Sequence, residues 1–135
     1  MKILAFHHVC IQTENYRKSF DFYVNGLGFD LVKETKGFHT RDFNTWLRAG
    51  DVMIELQTSK AGFKLIPWSK HNAGPVHIAV VVADVEQAHK SLIDLGYNQF
   101  KKKNGLEIYT VCESKIFKIL APEGTEIEVR EDRKI

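Results

Sequence analysis

Cysteine is scarce in this chain: Cys10 and Cys112 are the only two. Two thiols cannot build a disulfide framework. An excess of either charge is lacking too, with 19 Lys and Arg against 17 Asp and Glu and a formal net charge of +2. So even a balance argues against nucleic acid or an anionic membrane as the partner. The one basic run, Lys101-Lys102-Lys103, is followed by Asn104-Gly105 and reads as a solvated turn. No apolar stretch approaches the length of a membrane span. The apolar start Met1 to Phe6 is too short for a secretory core segment before it meets His7-His8. These absences predict a cytoplasmic protein with both thiols reduced.

What is present is ordinary for a globular chain. The 135 residues, 44% hydrophobic and 27% charged, fit one compact domain that needs no covalent staples.

The chain also repeats itself. Phe6-His7-His8-Val9-Cys10-Ile11 leads to Leu27-Gly28-Phe29, and Pro75-Val76-His77-Ile78-Ala79-Val80 leads to Leu95-Gly96-Tyr97. The step from position 8 to 77 is 69 residues, and that from 28 to 96 is 68. Two copies are too few for a solenoid and point to a paired-module domain. Each copy opens with a strand, about residues 6–12 and 76–82; the second is almost continuously apolar, as a buried strand would be. A helix follows. Thr13-Glu14-Asn15 offers a polar start before Tyr16, Phe20, Tyr23 and Val24, and Asp84 can cap the stripe Val85, Ala88, Leu92 and Leu95. Gly28 and Gly96 stand where a left-handed residue ends a helix.

Further strands are predicted at about 30–36, 43–49 and 52–57, with Gly50-Asp51 as a hairpin turn. In the second copy they fall at about 99–103, 106–112, 116–120 and 126–130, the last two joined by the turn Pro122-Glu123-Gly124-Thr125. The fold class is α+β, two βαβββ modules. Module one covers about 1–58, a linker or flap 59–74, and module two about 75–135.

Alternation places His8 on one strand face with Cys10 and Gln12, Glu55 with Met53 and Gln57, His77 with Ala79 and Val81, and Glu128 with Glu126 and Arg130. Glu55 and Glu128 interrupt apolar strands, and a carboxylate facing a core needs a cation or donors. The repeat puts His and Glu at equivalent places in both copies, so His8, Glu55, His77 and Glu128 are expected to converge on one divalent ion. Two imidazoles and two carboxylates suit Zn, Ni, Co, Mn or Fe, and are too rich in nitrogen for Ca or Mg. Four protein ligands on an octahedral ion would leave two neighbouring positions for vicinal substrate oxygens.

These residues resemble the vicinal oxygen chelate superfamily, which contains glyoxalase I, bleomycin-resistance proteins, extradiol dioxygenases and methylmalonyl-CoA epimerase. The likeness spans essentially the whole chain. It is carried by His8-Val9, Phe22-Tyr23 before Leu27-Gly28-Phe29, Ile54-Glu55-Leu56, Val76-His77-Ile78-Ala79-Val80 and the ending Pro122-Glu123-Gly124-Thr125-Glu126-Ile127-Glu128. The resemblance implies a cupped mixed sheet around a metal held by His8, Glu55, His77 and Glu128. All four positions are filled, as in glyoxalase I. The implied activity is a metal-dependent lyase or isomerase acting on a 2-oxoaldehyde–thiol adduct or a related 2-oxo compound. The ion would stabilise an enediolate, with Glu128 as base and Glu55 as its symmetric partner. Alternatives are an epimerase of the methylmalonyl-CoA type and a ligand-sequestering protein of the bleomycin-resistance kind. Where short glyoxalase I enzymes carry an arginine and an asparagine for glutathione, this chain has Gln12 and Ser59. A thiol other than glutathione, or none, is therefore implied. The expected partners are a small-molecule substrate and a second copy in a homodimer, because the terminal strands leave sheet edges to cover.

Among the remaining residues, Cys10 either reaches the metal or is a small buried hydrophobe. His7 should point away from His8 by alternation. His39, His71 and His89 read as surface histidines, with His71 able to line the mouth of the site. Phe43 and Trp46 read as packing, Trp68 as a lid or dimer contact, and Arg41 and Arg48 as candidate anion contacts.

Overall fold

The computed structural model describes residues 1–69 and 71–135. The chain forms two compact units, Met1–Ile66 and Pro67–Ile135. They divide within the stretch read as a linker, of which residue 70 lies outside the described residues.

The first unit carries β1 (His8–Thr13), α1 (Tyr16–Asp21), β2 (Asp30–Phe38), β3 (Arg41–Ala49) and β4 (Val52–Thr58). Its sheet has the order β1-β4-β3-β2, with β1 parallel to β4 and the other pairs antiparallel. Asn15 caps α1, its side chain accepting from the Lys18 N–H. The predicted helix does not run on as α. Phe22–Gly26 widens into a π turn, in which the Leu27 N–H reaches the Phe22 carbonyl. Neighbouring aromatics explain it: Phe22 and Tyr23 are both fully buried, and a wider turn lets consecutive side chains face inward. Ile11, Thr13, Thr45, Leu47, Ile54 and Leu56 are buried together on the sheet face matched by register. Tyr16 of α1 packs there, its ring stacked on Phe43 at 4.1 Å and its hydroxyl 2.6 Å from that of Thr45.

The second unit carries β5 (His77–Val81), α2 (Val85–Asp94), β6 (Phe100–Lys101), β7 (Ile108–Val111), β8 (Ser114–Leu120) and β9 (Glu126–Arg130). Its order is β5-β9-β8-β6, with β7 also on β8. The βαβββ plan therefore recurs. The strand equivalent to β2 is broken into β6 and β7 around residues 102–107, where Asn104 and Gly105 turn with positive φ as expected. Lys101, read as part of a solvated turn, instead lies in β6 and bonds the buried Glu126. Asp84 caps α2 by accepting from the Gln87 N–H, and Val85 and Leu92 are its buried residues. Leu95, expected in that stripe, is exposed.

Several details match the reading of the sequence. Gly28 and Gly96 follow their helices at φ 73° and 88°. Gly50-Asp51 closes the β3–β4 hairpin, in which Ala49 pairs with Val52. Other details differ. The apolar strand at 76–82 is not a buried one: β5 lies at the edge of its sheet, so its faces alternate, and Val76 and Val81 are about half exposed. Two-residue turns at His39-Thr40 and Cys112-Glu113 all take positive φ, although none is glycine. In β2, the register shifts between Leu31 and Lys33, which is a bulge at Val32. Among the described residues no helix is long and apolar enough to cross a membrane.

Candidate metal centre

Strand register decides where the four expected ligands go. In the first unit His8 is matched to Met53 on the parallel neighbour, two residues before Glu55. In the second His77 is matched to Glu126, two residues before Glu128. Each histidine thus meets its glutamate on a diagonal of the same sheet face. His8 Nε2 lies 3.6 Å from Glu55 Oε2, and His77 Nε2 lies 3.8 Å from Glu128 Oε2. Exposure agrees as well: 36% and 14% for the side chains of the first pair, 36% and 11% for the second. The structure thus brings together His8 with Glu55 and His77 with Glu128, each pair within its own unit. Among the described residues no group of three or more His, Cys, Asp and Glu side chains stands ready to hold an ion.

The donor chemistry of each pair fits a divalent metal. Two donors bound at about 2.1 Å to one tetrahedral or octahedral ion stand roughly 3.0–3.4 Å apart. Both observed separations are slightly wider than that and too long for a hydrogen bond. His8 also has an orienting partner, its Nδ1 lying 2.8 Å from His7 Nδ1. When His8 Nδ1 carries the proton, Nε2 turns its lone pair to the site, the arrangement usual for a ligating imidazole. Alternation fails for His7 because β1 begins at His8, so the pleat does not govern the residue before it.

The surroundings of the two carboxylates differ. Glu55 is cross-strand partner to Cys10 on one side and Trp46 on the other. The Trp46 ring stands edge-on to those of His8 and His7, at 5.0 and 5.9 Å, so it belongs to this face and not to the packing of α1. Cys10 is an exposed residue and not a buried hydrophobe. Its thiol is pushed up to about 11, first by partial screening of the sulfur from water, then by the Glu55 charge and the bond it gives Glu55, with Arg41 pulling the other way.

Glu128 instead has Ala79 and Lys118 as its cross-strand partners. Lys118 Nζ lies 3.3 Å from Glu128 Oε2, the oxygen that faces His77, and 2.9 Å from Glu126 Oε1. Arg130 Nη1 lies 3.5 Å from Glu128 Oε1. Glu126, almost fully buried, is bonded by Lys101 as well. Burial alone would raise its carboxyl, but the bonds from Lys101 and Lys118 outweigh this and hold it below the usual range. Sequence reasoning missed Lys118, though a signal existed: counting back through the Pro122–Thr125 hairpin pairs Leu120 with Glu126 and hence Lys118 with Glu128.

Other candidates fall elsewhere. His89 is not a surface histidine: it is mostly buried against Phe100 and Phe117, with Nε2 2.9 Å from Glu107 Oε2. His39 lies in the β2–β3 turn against Phe38, and His71 is exposed. Trp68 lies against the 122–125 turn, 3.6 Å from where a Cβ on Gly124 would be. Arg48 is paired with Asp30 at 3.1 Å, whereas Arg41 reaches Gln12 at 2.9 Å.

Comparison with known proteins agrees with this frame. The model of the Glyoxalase/Bleomycin resistance protein/Dioxygenase superfamily matches residues 5–129. No curated protein matches the chain. Among solved structures, the protein SMU.1112c is similar at 28% identity and a TM-score of 0.77, over 96% of this chain and 100% of that one. A glyoxalase family protein from Enterococcus faecalis is similar at 25% identity and 0.76, over 97% and 100%. The lactoylglutathione lyase from Agrobacterium tumefaciens shares the fold at 18% identity and 0.67, over 97% and 96%.

Proposed function

Because the chain belongs to the Glyoxalase/Bleomycin resistance protein/Dioxygenase superfamily, we propose that its two His–Glu pairs bind one divalent metal and that the protein is a lyase or isomerase of 2-oxoaldehyde–thiol adducts or related 2-oxo compounds. The observation that carries this reading is the equivalence of the pairs: the same diagonal register, Nε2 toward Oε2, at 3.6 and 3.8 Å. The pairs complete one four-ligand site by joining within a chain or across a homodimer. When bound, the ion would supply Lewis-acid polarisation of neighbouring substrate oxygens.

The residues themselves divide the remaining work. His8 and His77 offer neutral imidazole nitrogens, and His7 fixes the tautomer of the first. A carboxylate must take the proton from the carbon that bears the hydroxyl and the sulfur and return it to the neighbouring carbon, which had carried the carbonyl oxygen. The resemblance put that role on Glu128. However, both Glu128 oxygens are held by cations, Oε2 by Lys118 and Oε1 by Arg130. Among the described residues no lysine or arginine forms an ion pair with Glu55, which has the His8 imidazole and the Cys10 thiol at its carboxylate, so its oxygens are freer to accept. We therefore assign the proton transfer to Glu55, and to Glu128 the role of a fixed ligand. Trp46 closes the apolar side of the first pair.

The test compares metal content and turnover on the same samples. His8→Ala and His77→Ala should each lose metal and activity together. Glu55→Gln should keep its metal, because the amide oxygen still coordinates, and lose about 10²–10⁴-fold in rate on a methylglyoxal hemithioacetal. Protein that carries no metal and turns over no 2-oxo substrate with any of the five metals restored would overturn the reading. If Glu128→Gln loses more rate than Glu55→Gln at equal metal content, the base is Glu128.

A further inference from the structure

Arg41 opens β3, and its charge is held by neutral groups. Its Nη1 donates to Gln12 Oε1 at 2.9 Å and to the Thr58 carbonyl oxygen. Among the described residues no carboxylate pairs with it. Three other arginines are engaged by charged or aromatic groups: Arg48 by Asp30, Arg130 by Glu128 and Asp132, and Arg17 by the rings of Tyr16 and Phe43. A guanidinium has five N–H donors. Both bonds of Arg41 use Nη1, which leaves the edge formed by Nε and Nη2. Arg41 is half-buried, and among the described residues the guanidinium nitrogen buried without a partner is not on this edge but is Arg130 Nε. Two parallel N–H groups on one open edge match the two oxygens of a carboxylate.

The place of this edge matters. Gln12 shares the face of His8 and Cys10 and is matched to Gln57, while Cys10 is matched to Glu55. Two residues of strand set Gln12 about 7 Å beyond Glu55. The Gln12 amide and the Thr58 carbonyl fix Nη1, so the fork is oriented before any ligand arrives.

We propose that Arg41, steadied by Gln12, is the anchor for a carboxylate at the far end of the substrate, roughly two strand residues from the His8–Glu55 pair. The ligand class is a small molecule with a carboxylate a few bonds away from its reacting oxygens. Placing the reacting end at Glu55 rests on the function proposed above; the carboxylate site itself does not.

Two methylglyoxal hemithioacetals separate the possibilities, one made with 3-mercaptopropionate and one with 2-mercaptoethanol. They differ in a terminal carboxylate against a hydroxyl. Wild-type protein should prefer the first by about tenfold or more in kcat/KM, the scale of one charge-assisted contact. Arg41→Met should erase that preference by raising KM for the carboxylate adduct while kcat stays. Arg41→Lys, which keeps the charge but not the fork, should keep part of it. No preference in the wild type, or equal loss on both adducts in Arg41→Met, overturns the proposal. A binding measurement needs no turnover. The Arg41 Nε–H resonance, identified by its absence in Arg41→Lys, should shift on titration with 3-mercaptopropionate and not with 2-mercaptoethanol. No shift overturns the carboxylate site even where adducts are turned over. A shift in protein that turns over neither adduct sustains the site and removes the lyase reading alone.

Discussion

The two modules share a backbone and differ in what surrounds it. Offsets hold through the chain: 69 residues from His8 to His77, 73 from Glu55 to Glu128, and again 73 from the turn residue His39 to Cys112. Yet the position across from the glutamate is Trp46 in the first module and Lys118 in the second, and the position across from the histidine is Met53 in the first and Glu126 in the second. One copy frames its carboxylate with sulfur and an indole, the other with ammonium and guanidinium groups. The comparison teaches that strand register preserves the placement of a ligand pair, while the side chains one row away decide how freely each carboxylate can act.

The largest effect expected from breaking this comparison is in the second module. Glu126→Met copies the first module at one position and strands Lys101 and Lys118 without their shared partner. A loss of about 3 kcal/mol in urea unfolding is expected, near the low end for removing one side of a buried pair. Adding Lys118→Met should restore most of it, since the first module shows that this row tolerates apolar residues. A single mutant as stable as the wild type would show that the charged row contributes nothing to folding.

A middle-sized effect concerns Tyr16, whose place in the second module is taken by Val85. Its hydroxyl is pushed up to about 12, first by burial and then by the bond it donates to Glu34. A folded-state value above the unfolded value of about 10 gives stability that is complete below pH 10 and is lost as pH rises toward 12. The difference between wild type and Tyr16→Phe should therefore shrink by about 2 kcal/mol over that window. A difference that stays constant with pH would sink the argument.

The smallest effect lies in the paired turns. Thr40 is β-branched and held at φ 63°, while Glu113 in the second module stands at φ 65° without the branch. Thr40→Gly should stabilise by about 1 kcal/mol, and Glu113→Gly by less. Thermal unfolding of the two variants checks the order.

Much of this was readable from local pattern. The order of elements, the glycines that end both helices and the hairpin turns all follow from signals within a few residues. That His8 and Glu55 have counterparts in His77 and Glu128 was readable from the duplication; that each histidine meets the glutamate of its own unit came only from strand register. Other features depended on register between strands far apart in sequence. Lys118 and Trp46 meet their glutamates only through such pairing, and Arg41 meets Gln12 across 29 positions. The π turn depended on burial of two adjacent aromatics, which periodicity alone reads as ordinary helix. His89 looked like a surface residue because its partner, Glu107, belongs to a loop whose path the helix pattern does not reveal.

The bulge at Val32 has a consequence for how this protein behaves when crowded. β2 is a nine-residue strand at the rim of its sheet, with Leu31 and Val32 about half exposed, which is the profile of a template for strand addition by another chain. The extra residue breaks the regular repeat of free N–H and C=O groups, and Lys33, Glu34 and Lys36 put charge along what remains. The second module reaches the same end by interrupting the strand outright between Lys101 and Ile108. Each sheet thus carries its own guard against open-ended polymerisation.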